Sequence, residues 1–287
     1  MIRDLAVAFV IASTLFACGE ATPEGRGGVA FTTWGEEYIE QGIPASAFAD
    51  GWSVKFSKFL IVISNVRIAD DRGAVAGSSA IPRIFDLVLP GPKEVVRFEG
   101  LEARPWNAVS YQIGPFSAEA VASGGATNDD RARLVNAAAS VLVDATATKG
   151  AVTKRLSWAF PPSTRYESCE GERDGRTVRG VVVTNGGTDQ VELTIHGDHL
   201  FYDDLQAGDA KLRFEALAGA DRDDDGEVTL DELAAVRLRD IPAERGGYQT
   251  GAASNVNDLR AFVTALSRTI GHFRGEGECV SRDPASP

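Results

Sequence analysis

From Ser53 to Ile195 apolar residues recur at every second position, in short runs separated by turn residues. That period suits β-strands with one buried face and is incompatible with a helical stripe. Val54 and Phe56 alternate with Lys55 and Ser57, after which Phe59, Ile61 and Ile63 alternate on the opposite parity. Such a change predicts a bulge, or a run buried on both faces. Asp70-Asp71-Arg72-Gly73 closes this strand, and Ile84-Phe85-Asp86-Leu87-Val88-Leu89 runs into the breaker Pro90-Gly91-Pro92. Further strands are expected at residues 95–98 and 109–113. One hairpin is expected about Lys149-Gly150, with Val141 and Val143 before the turn and Leu156, Trp158 and Phe160 after it. Another is expected between residues 181–184 and 191–195, joined by Asn185-Gly186-Gly187-Thr188, because Asn-Gly is a strong hairpin signal. Short helices are expected around residues 36–41 and within 117–137, the latter capped near Asn128-Asp129-Asp130.

Past residue 200 the period becomes helical. Asp203 or Asp204 can start a helical region reaching Gly219, and Leu233 and Val236 continue an apolar face. Leu259, Phe262, Val263, Leu266 and Ile270 define a last helix, with Asn257 to cap its start and Gly271 its end. The fold class is therefore α+β: an antiparallel β-sandwich-like domain over 29–199, followed by a C-terminal helical segment over 200–280 and a tail, 281–287.

Residues 221–232, DRDDDGEVTLDE, resemble the twelve-residue EF-hand calcium loop. Asp221, Asp223 and Asp225 fall at loop positions 1, 3 and 5, and Gly226 at position 6, where the chain turns sharply. Glu227 would give its backbone carbonyl, Thr229 would ligate through water, and Glu232 would supply the bidentate carboxylate. Val228 is the apolar anchor. No second loop of this kind occurs, whereas sensor EF-hands work in pairs, so Ca²⁺ here is expected to brace the fold. Extracellular calcium modules bind at roughly 10⁻⁴–10⁻³ M, weak enough to be filled by environmental calcium.

The first residues read as an address. Arg3 precedes an apolar run from Leu5 to Phe16 that ends in Leu15-Phe16-Ala17-Cys18-Gly19 and resembles a bacterial lipobox. The resemblance implies a lipoprotein signal peptide over 1–17, a lipidated (palmitate-bearing) Cys18, and a tether over 18–28 rich in Glu, Gly and Pro. Gly19 after the cysteine implies an outer-membrane anchor, facing the periplasm or the cell surface. With Cys18 taken by lipid, Cys169 and Cys279 remain as an even pair in an oxidising compartment and are expected to form a disulfide. The net charge of −12 disfavours nucleic-acid partners and suits a surface that attracts cations.

The chain's 3 histidines fall in two places: His196 and His199 in Thr194-Ile195-His196-Gly197-Asp198-His199, and His272 after the last helix. The expected disulfide would draw His272 towards the sheet. With Asp198, and with Glu36 and Glu37 as further carboxylates, such a set suits zinc, copper or iron. Residues 59–68, FLIVISNVRI, ending in Asp70-Asp71-Arg72-Gly73, together with residues 109–114, resemble periplasmic β-sandwich proteins of the MbnP type. That family includes copper-binding members commonly found beside di-haem peroxidase relatives. Here Trp158-Ala159-Phe160 leads to Cys169 without the family's histidine-containing segment.

No GxSxG, HExxH, P-loop or dinucleotide fingerprint is present, so the sequence favours a binding protein over an enzyme. Three functions stand: a calcium-braced, lipid-anchored binding protein; a transition-metal handling protein using the histidines; and a calcium-stabilised hydrolase.

Overall fold

The computed structural model describes residues 25–284. The expected signal peptide, Cys18 and the tether up to residue 24 lie outside these residues. The first strand, Arg26–Trp34, begins just beyond them.

The fold is α+β. A large mixed sheet of eleven strands, mostly antiparallel, faces a smaller sheet of four. The large sheet is organised on the strand Ser53–Ala69, seventeen residues long. Its register slips between Phe56 and Lys58, where the alternation changes parity in the sequence. The run that follows is buried on both faces. Phe59, Ile61 and Ile63 enter the main core with Phe31, Trp158 and Phe160. Leu60 and Val62 enter a second, smaller core under the helix Asn128–Asn136, with Ile84, Leu134 and Leu142. That helix is capped by Thr127, one residue earlier than expected, in a capping box with Asp130. The expected hairpin about Lys149-Gly150 pairs Val141–Lys149 with Val152–Phe160 over its full length.

The second expected hairpin is not formed as one ladder. The Asn185-Gly186 turn exists, with Gly186 at φ +70. However, the start of the first strand captures it: Asn185 Oδ1 accepts from Arg26 N, Gly186 N donates to Arg26 O, and Gly28 N donates to Gly187 O. The strand Thr188–Ile195 therefore runs parallel to Arg26–Trp34, while Val181 and Val182 pair with Trp106 and Pro105.

The C-terminal part is less helical than its pattern suggests. Between Asp203 and Phe214 there is no helix; the helix ahead of the acidic loop is only Glu215–Ala218. The two candidate caps are spent on local backbone, a competition that short acidic side chains often win. Asp203 accepts from Lys211 N at 2.8 Å and Arg213 Nε at 2.6 Å; Asp204 accepts from Gln206 N and Ala207 N. The last helix, Leu259–Leu266, is capped by Asp258 rather than Asn257. Gly271 lies in a strand, Gly271–Phe273, that pairs with Leu193, Thr194 and Ile195. A Cβ on Gly271 would meet Tyr166 Cζ at 2.7 Å and Tyr111 Oη at 2.8 Å, so close approach to this stacked tyrosine pair demands glycine.

Two further C-terminal pieces rejoin the large sheet: Glu227 and Val228 pair with Arg155 and Leu156, and Glu278–Arg282 pairs with Thr164–Arg173. Cys169 and Cys279 form the expected disulfide between the latter two strands.

Candidate metal centre

All three histidines meet at one end of the small sheet. His196 follows the strand Thr188–Ile195, and its N–H donates to Ile270 O at 2.9 Å. His199 lies in the 3₁₀ turn Asp198–Phe201. His272 is registered opposite Thr194, two residues before His196. The ring centroids of His196 and His272 are 4.2 Å apart, those of His199 and His272 5.0 Å, and those of His196 and His199 5.3 Å. One ligating atom from each of His196, Asp198 and His199 lies within 4.8 Å of the others. This is a buried His/Asp/Glu cluster capable of holding a metal ion.

The surroundings orient the rings. His199 Nδ1 is 3.0 Å from Thr269 Oγ1, and Tyr202 donates to Asp198 Oδ2 at 3.0 Å. Tyr111 donates to the His272 carbonyl at 3.0 Å, fixing its strand from below. His196 Nδ1 lies 3.5 Å from Glu36 Oε2. Gly197 makes that approach feasible, because a Cβ there would strike Ile39 Cγ1 at 2.6 Å and push away the helix Glu36–Glu40. Two ring nitrogens, His196 Nε2 and His272 Nδ1, are buried without a hydrogen-bond partner. A buried polar atom left unpaired costs about 1–3 kcal/mol. The donor set of His196, Asp198 and His199 therefore fits a cation, with the His272 ring packed against it.

Burial, and then the neighbouring rings of His272 and His196, hold the His199 imidazole down to about 3. Burial and His196 also lower His272, against opposing pulls from Glu278, Glu276 and Asp198. Neutral imidazole is the form that ligates metal, so these shifts keep the rings ready for a cation below ordinary physiological pH. The linkage has a definite sign. The folded value for His199 is below the unfolded one, so its contribution to stability is present above about 6.5 and lost as pH falls towards 3. Burial raises Glu36 above the usual carboxylate value, which acts in the opposite sense as pH rises from about 4.5. Metal-free protein is expected to melt at a lower temperature at pH 5 than at pH 7, with His199→Gln flattening that difference. An unchanged slope in the variant would exclude His199 as the source.

Glu276, Tyr202 and Thr269 were not legible as site residues. Glu276 sits between Gly275 and Gly277 in a connection with no pattern of its own, yet its carboxylate comes within 4.8 Å of ligating atoms of Glu36 and His196. Glu37 does not join the cluster. A cavity of about 450 Å³ opens beside the rings, lined by His199, Tyr202, His272, Glu276 and Glu278 among others.

The acidic loop forms a second cluster. Asp221, Asp223 and Asp225 each place one carboxylate oxygen within 4.8 Å of the others. Asp221 is buried; its Oδ2 accepts from Lys154 Nζ, and from Gly226 N at 3.0 Å, and its Oδ1 has no partner. Gly226 adopts φ +81, the left-handed turn that its position requires. Val228 is fully buried and its carbonyl accepts from Trp158 Nε1 at 2.8 Å. Glu227 N donates to Asp225 Oδ1 at 2.7 Å. Glu232 is engaged elsewhere, forming with Thr229 the capping box of the helix Leu230–Ala234 and also accepting from Arg222 N.

No family model matches the chain, and no curated protein matches it. Among solved structures it shows a distant resemblance to MbnP from Methylosinus trichosporium, at 13% identity over 59% of this chain and 75% of that one, with a TM-score of 0.29.

Proposed function

We propose that this chain is a transition-metal-binding protein whose cation is held by His196, His199 and His272, with Asp198 beside them. The observation that carries the reading is the convergence of all three histidines, two of them presenting buried, unpartnered nitrogens. Imidazole suits zinc, copper and iron, and a three-histidine set leaves a position open to exchange. The adjoining cavity supplies access to that position. The chain's own contribution is to keep the His199 and His272 rings neutral and fixed by Thr269 and the Tyr111-bound strand, so that little ordering remains when the cation arrives. Titration with Cu²⁺ and with Zn²⁺, after calcium saturation, is expected to show a tight equivalent. Absence of stoichiometric binding would overturn the reading.

A second reading concerns the acidic loop. The buried and unpartnered Asp221 Oδ1, in a loop of EF-hand spacing, supports calcium there as a structural brace. Val228 ties that loop to Leu156 of the large sheet, so ordering the loop would hold the C-terminal segments in register. The protein is expected to melt at a higher temperature in millimolar Ca²⁺ than in EGTA, and Asp223→Ala/Asp225→Ala should abolish the difference. Equal midpoints in the parent protein would remove the brace. The lipobox-like sequence at Cys18 supports a lipid anchor in the cell envelope, and Cys18→Ser should then move the protein from the membrane fraction to the soluble one.

A further inference from the structure

We propose a second cation position beside the imidazole cluster, formed by the carboxylates of Glu36 and Glu276 and the Nδ1 edge of His196. It rests on the reading of the histidines as a metal centre and adds to it. One ligating atom from each of Glu36, His196 and Glu276 lies within 4.8 Å of the others. His196 thus belongs to two groups at once, this one and the group with Asp198 and His199. Nδ1 lies 3.5 Å from Glu36 Oε2, while Nε2, on the far edge, is buried and unpartnered.

The charge around the ring points the same way. Glu36 and Glu276 are like charges, and among the described residues His196 is the basic side chain within ion-pair distance of Glu36. Among the described residues no lysine or arginine makes an ion pair with either carboxylate, although four buried acids elsewhere have one: Asp86 and Asp130 share Lys58, Asp189 takes Arg173 and Arg274, and Asp221 takes Lys154. Glu36 is partly buried and Glu276 exposed, so the cost of an uncompensated like charge falls on Glu36. A divalent cation between Glu36 and Glu276 offsets that repulsion with the donor set at hand. Two carboxylates and one imidazole suit a borderline or hard ion such as Zn²⁺ or Mn²⁺, whereas the neighbouring position is rich in imidazole. When both positions fill, His196 bridges them, and the ring proton leaves to solvent because both nitrogens are engaged.

The alternative is that Glu36 merely orients His196 as an outer carboxylate, the common arrangement for a ligating histidine. The two differ in a count. Protein carrying Asp223→Ala/Asp225→Ala, both exposed in the acidic loop, removes that loop from the tally. Dialysed to equilibrium against Zn²⁺ and measured by mass spectrometry, it is expected to hold two equivalents. Adding Glu36→Gln/Glu276→Gln should leave one, with the apo protein melting no lower than before. One equivalent before the glutamate changes, or two after them, would overturn the second position while leaving the histidine centre intact. No equivalents at all would overturn both.

Discussion

Replacing His272 by phenylalanine is expected to abolish the metal-dependent rise in melting temperature while leaving the metal-free protein as stable as before, or more so. The two halves of this result come from the same atom. His272 is 7% exposed, and its Nδ1 has no hydrogen-bond partner. In metal-free protein that nitrogen is a liability worth about 1–3 kcal/mol, which an apolar ring of similar shape removes. In the metal-loaded protein proposed above, the same nitrogen would be a ligand. Binding a cation only to the folded state stabilises it by about 4 kcal/mol at a free concentration near a thousand times Kd. For a domain of this size that corresponds to a rise on the order of 10 °C. Scanning calorimetry with Zn²⁺ and with a chelator would show the increment in the parent and none in the variant. An increment of equal size in both would place the ion elsewhere.

Breaking the disulfide is expected to have the largest effect on folding and a secondary one on metal binding. Cys169 and Cys279 are separated by 110 residues, and closing a loop of that length restricts the unfolded chain by about 4–5 kcal/mol in the chain-entropy treatment. Cys169→Ala/Cys279→Ala should lower the melting temperature by on the order of 10 °C. The bond also holds the segment that presents Glu276 and Glu278 beside His272. Tyr166, on the Cys169 strand, accepts from Gly271 N and donates to Arg268 O, pinning the approach to His272 from the other side. Loosening this frame should weaken zinc by roughly the 10–100-fold that follows loss of an outer-shell partner. A melting shift without any change in zinc affinity would show that the tyrosine contacts alone suffice to hold the site.

The sheet was largely legible because its signals are local. The parity change at Phe56–Phe59 and the turn at Lys149-Gly150 each carried their meaning within a few residues, and the disulfide followed from the count of cysteines alone. The segments that departed from their local pattern were those where a distant partner won. The Asn185-Gly186 turn formed, but Arg26 drew the chain after it into a parallel pairing that no short-range pattern encodes. Gly271 looked like a helix terminator and is instead the thin place against which Tyr111 and Tyr166 stack. Asp203 and Asp204 had the chemistry of helix caps and used it on a loop. The same limit applies to the site. The histidines could be named as candidates, but their meeting depends on strands 188–195 and 271–273 lying side by side, and on the gap that Gly197 leaves for the helix of Glu36.

One indole stands between the two side-chain clusters. Trp158 donates to the Val228 carbonyl in the acidic loop, and its ring lies 6.3 Å from that of Phe201, in the same short turn as Asp198 and His199. It is wholly shielded from water, so its emission depends on these neighbours rather than on solvent. Trp158, one of the chain's 4 tryptophans, thus sits at the seam between the acidic loop and the imidazole cluster. In a variant that keeps Trp158 as its single tryptophan, filling either would be read by a chromophore that belongs to neither.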